Sequence, residues 1–167
     1  PRLHLGAAPG AQPVTLQCDG ISADIAATVR CLRALGADIT DDGAGTLRIV
    51  PIAGEMPEHA DLFCGESGST LRFLIPIALA VAGGGVFTGR GRLMERPQSV
   101  YDALYREQGL RFEQSASGLT VEGALTPGEY RLAGNVSSQF ISGLLFALPL
   151  LSGNSTLHLI PPVESRS

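Results

Sequence analysis

Apolar and polar positions alternate from Pro13 to Cys18 with the two-residue period of a strand. Ser22 then stands where a helix N-cap belongs. It precedes a stretch whose Ile25, Val29 and Leu32 share one helical face and which Gly36 ends. Ala37 to Thr40 and Thr46 to Pro51 flank Asp41-Asp42-Gly43, which predicts a hairpin. Ser69 opens an apolar helix that stops at Gly83, and Gly85 to Gly89 reads as a strand. Pro97 suits the first turn of a further helix, closed by Gly109. Leu110 to Gln114 and Leu119 to Glu122 predict a second hairpin, and Glu129 to Leu132 a strand. An apolar helix starting at Ser137 and a strand from Ser155 to Ile160 complete the pattern.

The order of elements after Ser69 repeats the order around Ser22 and begins a third time at Ser137. This predicts an α/β (α+β) chain built from repeats at about 1–52, 53–125 and 126–167. The first repeat lacks most of its first helix and the third stops before its second. Residues 1–167 therefore read as a single lobe truncated at both ends, either a repeat domain without its ends or a piece of a longer protein.

Composition narrows the function classes. Hydrophobic residues make up 44% and charged residues 17%, the balance of a packed core and not of a disordered chain. A net charge of −4 argues against a general nucleic-acid binder, and the absence of Trp argues against base stacking. Cys18, Cys31 and Cys64 form no CxxC pair, which points to reduced thiols in a cytoplasmic protein without a metal site. The longest apolar run, Phe73 to Val86, is broken by Pro76 and is too short to span a bilayer, so no membrane partner is expected. No signal-peptide pattern opens the sequence.

Candidate chemistry gathers at predicted helix starts. Ser137, Ser138 and Gln139 place two hydroxyls and an amide ahead of an apolar run, where unpaired N–H groups and the helix dipole favour an anion. A lone Ser-Ser pair is also accounted for if one serine simply caps the helix. Arg90, Arg92 and Arg96 share one short loop with only Glu95 to offset them. Arg96 immediately before Pro97 meets the unfavourable end of a helix dipole unless an anion joins it, although a solvated loop with an Arg96–Glu95 contact remains open. Gly65-Glu66-Ser67-Gly68-Ser69-Thr70 allows close backbone approach of a ligand, but it lacks both the Walker ending and the dinucleotide-binding GxGxxG spacing. Arg72 interrupts an apolar helix, and pairing with Glu66 or another acid is the expected structural account.

Three of these segments together resemble a known family. Gly65-Glu66-Ser67-Gly68-Ser69-Thr70-Leu71-Arg72, Arg92-Leu93-Met94-Glu95-Arg96-Pro97 and Val136-Ser137-Ser138-Gln139-Phe140 look like consecutive signatures of the 5-enolpyruvylshikimate-3-phosphate synthases (3-phosphoshikimate 1-carboxyvinyltransferases). Ser22-Ala23-Asp24 and Leu35-Gly36-Ala37 are similar too. The resemblance implies one lobe of an inside-out α/β barrel made of βαβαββ units. It implies transfer of the enolpyruvyl group of phosphoenolpyruvate to the 5-hydroxyl of shikimate 3-phosphate, on the route to chorismate and aromatic amino acids. No metal and no cofactor take part, and the parent enzyme is a monomer.

By the same resemblance, Ser137 and Ser138 hold the 3-phosphate of shikimate 3-phosphate and Gln139 lies between the two substrates. Arg96 grips phosphoenolpyruvate and Gly68 lies beside that site, leaving room for the family's inhibitor glyphosate. Ser165 is a further shikimate-phosphate contact, and Arg2, another, falls where the family has the arginine that ends a Lys-Ser-x-x-x-Arg stretch. Glu66 stands where many relatives have asparagine. The acid/base carboxylates belong to a second lobe, so this piece is expected to hold a half-site, no catalytic residue and no activity alone. A relative acting on UDP-N-acetylglucosamine is disfavoured because Gly89 to Arg96 contains no cysteine. A non-catalytic anion-binding module remains open, to be told apart by whether the gene encodes a second lobe.

Overall fold

The structure, a computed structural model, describes residues 12–50 and 57–162. Strand β1 (Val14–Gln17) leads to helix α1 (Ala23–Ala34) and to the hairpin β2 (Asp38–Asp41) and β3 (Thr46–Val50). β3 lies between the other two and pairs antiparallel with both, so the order is β1-β3-β2. Ser22 caps α1 as expected, its Oγ accepting the Ile25 N–H at 3.2 Å. The face turned to the core differs from the expected one: Ala27 and Cys31 are buried, with Leu35 just beyond, while Ile25, Val29 and Leu32 are half-buried. Small side chains face inward because α1 lies against β4 and α2, described next, where there is little space.

Strand β4 (Ala60–Phe63), to which the sequence pattern assigns nothing, runs parallel to β5 (Gly84–Thr88), and helix α2 (Gly68–Val81) is the crossover between them. Helix α3 (Ser99–Glu107) and the hairpin β6 (Arg111–Gln114) and β7 (Leu119–Glu122) follow, giving the sheet order β4-β5-β7-β6. β8 (Glu129–Ala133) and β9 (Thr156–Ile160) are again parallel, with helix α4 (Ser138–Ala147) crossing between them. The fold is mixed α/β. Two parallel βαβ units recur, as does the three-stranded antiparallel order of β1-β3-β2 in β5-β7-β6. Among the described residues no helix is long and apolar enough to cross a membrane.

Two predicted helix starts move. α2 is capped by Ser67, whose Oγ accepts the Thr70 N–H at 3.3 Å, so Ser69 lies inside the first turn. α3 begins only at Ser99, and a 3₁₀ turn at Leu93–Glu95 precedes it, leaving Pro97 outside the helix. Proline fixes its own φ equally well in an extended connection, so its presence alone does not place the first turn.

The core centres on α2, which buries Leu71, Leu74, Ile75, Ala78 and Leu79. Its closest helical neighbour is α4, and Gly143 makes the approach possible. A Cβ there would lie 2.3 Å from the Tyr101 hydroxyl and 2.6 Å from the Arg72 carbonyl oxygen. Pro76 sits inside α2 and has no N–H, so the carbonyl four residues earlier, that of Arg72, loses its helical partner. The buried Tyr101 hydroxyl replaces it, donating to Arg72 C=O at 2.9 Å and to Phe140 C=O at 3.0 Å. One side chain of α3 thus ties α2 to α4. Its ring stacks on Tyr105 at 5.3 Å and meets Phe140 edge-on at 4.9 Å. Burial holds the Tyr101 phenol well above the ordinary tyrosine range, against a smaller opposite pull from the Arg72 charge, so it stays a donor.

Tyr101→Phe is expected to cost about 1–3 kcal/mol, the price of unpaired buried carbonyls, measured by urea unfolding. In a Pro76→Ala background the helix can supply its own N–H to Arg72 C=O, and the same substitution should cost at least about 0.5 kcal/mol less. Equal costs in both backgrounds would show that Pro76 does not create the vacancy Tyr101 fills.

Candidate functional site

The packing of α2 on α4 sets their N-terminal ends near one another, and each end carries its own chemistry. β8 finishes at Ala133, and Gly134 donates its N–H to Ile160 C=O at 2.7 Å. The chain then turns into α4 at Ser137, whose carbonyl accepts the Phe140 N–H at 3.0 Å. Ser137 is the N-cap residue by position, yet its hydroxyl makes no cap hydrogen bond. Ser22 and Ser67 do use their hydroxyls that way. The capping account therefore fails for this serine pair, and both side chains stand exposed at the helix end.

Arg72, in the first turns of α2, reaches across to them. Its Nη1 donates to Gln139 Oε1 at 2.9 Å and to Ser137 Oγ at 3.4 Å, while the guanidinium lies 4.5 Å over the Phe140 ring. Its Nε is buried without a partner. The expected pairing with an acid is overturned: among the described residues no carboxylate bridges Arg72. Glu66 sits instead by Gly91, where an added Cβ would lie 3.3 Å from its carboxylate. Burial, and after it the nearby positive charge of Arg96, lowers the Arg72 pKa. Guanidinium remains charged under such shifts, so the site keeps two like charges close together.

Arg96 approaches from the loop between β5 and α3. A Cβ added to Gly68 would lie 2.6 Å from Arg96 Nη1 and 3.8 Å from Cζ, so only glycine lets the guanidinium rest on the first turn of α2. Glu95 pairs with Arg92 at 2.8 Å, against the proposed Arg96–Glu95 contact, and among the described residues no carboxylate bridges Arg96. The Arg96 carbonyl accepts from Gln98 Nε2 at 3.3 Å and Gln114 Nε2 at 2.9 Å, and Gln114 also donates to Met94 C=O. These two glutamines fix the loop and were not singled out by the sequence, since a glutamine with a backbone partner carries no pattern of its own.

The loop Gly65–Thr70 contributes less than its composition suggested. Ser67 and Thr70 are buried, and Thr70 Oγ1 is bonded to Ser67 Oγ at 2.8 Å and to Thr28 Oγ1 at 2.7 Å. Their hydroxyls build the turn and are not offered to a ligand. Arg90 and Arg30 both lie over the Phe63 ring, at 5.4 Å and 5.0 Å from its centroid. Of the expected site residues, Gly68 and Arg96 touch, Arg72 joins Ser137 to Gln139, and Ser138 is adjacent in sequence. Arg2 and Ser165 lie outside the described residues. The result is a surface with two guanidiniums, two hydroxyls not used as caps and an amide at two helix N-termini, a composition suited to phosphate and carboxylate groups.

The family model described as EPSP synthase (3-phosphoshikimate 1-carboxyvinyltransferase) matches residues 2–165. The 3-phosphoshikimate 1-carboxyvinyltransferase of Clostridium novyi (strain NT) is 42% identical over 155 residues, covering 87% of this chain and 36% of that protein. The enzyme of the same name from Clostridium kluyveri is 43% identical over 148 residues, covering 87% of this chain and 34% of that protein. Among solved structures, an EPSP synthase from Acinetobacter baumannii superposes with a TM-score of 0.71 at 22% identity, over 92% of this chain and 36% of that one. That likeness extends to the fold. The chain spans about a third of the length of the curated relatives it matches.

Because Ser137 does not cap α4, Ser137→Ala with Ser138→Ala should leave the thermal stability of the ligand-free protein within about 0.5 kcal/mol of the parent. Ser67→Ala, which removes a real cap, should cost about 1 kcal/mol. Thermal unfolding of both variants decides it, and a larger loss in the double variant would restore the capping account.

Proposed function

Since the chain belongs to the EPSP synthase (3-phosphoshikimate 1-carboxyvinyltransferase) family, we propose that it forms a substrate-binding lobe of an enzyme that moves the enolpyruvyl group of phosphoenolpyruvate onto the 5-hydroxyl of shikimate 3-phosphate. The observation that carries this reading is the Ser137–Ser138–Gln139 helix end, whose hydroxyls are free of capping duty and face no carboxylate-paired cation. In this reading the two serines and Gln139 hold the 3-phosphate. Arg96, resting on Gly68, holds the phosphoenolpyruvate, and Gln139 lies between the two. Arg2 and Ser165 add contacts to shikimate 3-phosphate.

The reaction then proceeds by attack of the 5-hydroxyl on the enol carbon as the methylene carbon is protonated, followed by expulsion of phosphate from the tetrahedral intermediate. The residues here orient two anions and stabilise their charge, which is strongest where the cations lack competing carboxylates. Proton transfer falls to carboxylates of a second lobe, the partner this reading requires. The proposed lobe comprises repeats of about 1–52, 53–125 and 126–167. The parent protein works as a cytoplasmic monomer without nucleic-acid or membrane partners.

Calorimetric titration of the 167-residue chain should detect weak binding of shikimate 3-phosphate and none of UDP-N-acetylglucosamine. The Ser137→Ala, Ser138→Ala double variant should lose about 1–3 kcal/mol of that binding, roughly 5- to 150-fold. An unchanged affinity would remove the serines from the site. Gly68→Ala pushes against the Arg96 guanidinium and should weaken phosphoenolpyruvate and glyphosate together while leaving shikimate 3-phosphate alone. No transfer activity is expected from the chain by itself, and shikimate-3-phosphate-dependent phosphate release would contradict that.

A further inference from the structure

Arg72 reaches the same helix end as the serines but from the opposite element, and what it does to them follows from hydrogen-bond polarity. A guanidinium donates and never accepts, so the atom facing it must be an acceptor. Gln139 meets Arg72 Nη1 with Oε1 at 2.9 Å, which leaves its Nε2 pointing elsewhere. Ser137 meets the same nitrogen with a lone pair of Oγ at 3.4 Å, and its O–H proton is free to donate elsewhere too. An amide and a hydroxyl are ordinarily two-way groups that serve donor and acceptor ligands alike.

We infer that Arg72 is the positioning residue of this site: by engaging Gln139 Oε1 and a lone pair of Ser137 Oγ at once, it orients both side chains to donate and biases the cradle toward a ligand that accepts, a phosphate or carboxylate. Two further features agree. Among the described residues Arg72 has no carboxylate partner, and it is held in place by the Phe140 ring and by the clamped backbone beneath it. Its Nε is buried and unpaired, so the guanidinium is retained for its reach across the helices and not for full satisfaction of its own donors. The identity of the anion as shikimate 3-phosphate rests on the function proposed above; the polarity of the cradle does not.

The test uses ¹⁵N-labelled protein, with the Gln139 side-chain amide signals identified by their loss in Gln139→Met. In the parent these signals should stand apart from the random-coil position and shift on addition of shikimate 3-phosphate. In Arg72→Met they should move to the random-coil position, with at least tenfold weaker binding and an unchanged melting temperature. Arg72→Lys keeps the charge but offers a single compact donor group, and it should recover only part of the affinity. Full recovery by lysine would make Arg72 a charge and nothing more, and would overturn the inference, as would unmoved Gln139 signals or undiminished affinity in Arg72→Met. If the methionine variant melts lower, the lysine variant is judged by the same two readings. Inorganic phosphate titrated in parallel separates the two ideas. Phosphate binding that depends on Arg72, without binding of shikimate 3-phosphate, rejects the substrate reading and upholds the positioning role. Loss of neither ligand in the variants rejects the positioning role alone.

Discussion

A single phenolic proton joins the three helices on which the candidate site depends. Pro76 deprives the Arg72 carbonyl of its helical partner, and a bare buried carbonyl costs as much as a lost hydrogen bond. Tyr101 fills that vacancy and reaches the Phe140 carbonyl of α4 with the same hydroxyl. Gly143 contributes by having no side chain in the space the hydroxyl occupies. The proline that interrupts one helix therefore becomes the reason that a second helix is docked against it by a third. The carbonyls concerned belong to Arg72, whose side chain enters the site, and to Phe140, which follows Gln139.

That clamp explains why the site can hold charge without neutralising it. Arg72 and Arg96 lie close enough for each to feel the other, and neither has a carboxylate among the described residues. Two guanidiniums side by side repel, and the arrangement persists because their backbones are fixed independently. Arg72 is held through the tyrosine clamp, and Arg96 through Gln98 and Gln114 on its carbonyl. An anion placed between preorganised cations offsets their repulsion, so the arrangement favours anion binding. Gly68 decides how closely Arg96 rests on the first turn of α2, which makes a residue with no side chain a determinant of a cation's position.

Local sequence carried the elements whose cause is local. The Ser22 cap, the two antiparallel hairpins and the apolar character of α2 and α4 each follow from residues within a few positions of one another, and each is found in place. Signature segments also carried the family, whose model matches residues 2–165. Strand β4 is hard to read because its alternation, Ala60-Asp61-Leu62, is too short to stand out from a loop. Pro97 was read one element too far because proline fits an extended connection as well as a helix start.

What the sequence determined by itself is thus the α/β class, the family, and the residue types gathered at the candidate site. Tertiary structure alone decided which hydroxyls are free. Ser22, Ser67 and Ser137 all stand at helix starts, and no local rule separates the two that cap from the one that does not. Arg72 makes the difference at Ser137, and it comes from 65 residues away in the chain. It also escaped the expected pairing with Glu66, because Phe140 and Gln139 offered its guanidinium a ring and an amide oxygen on the facing helix. Hydrogen-bond partners of a long side chain are set by which elements pack side by side, and that packing is a property of the whole fold.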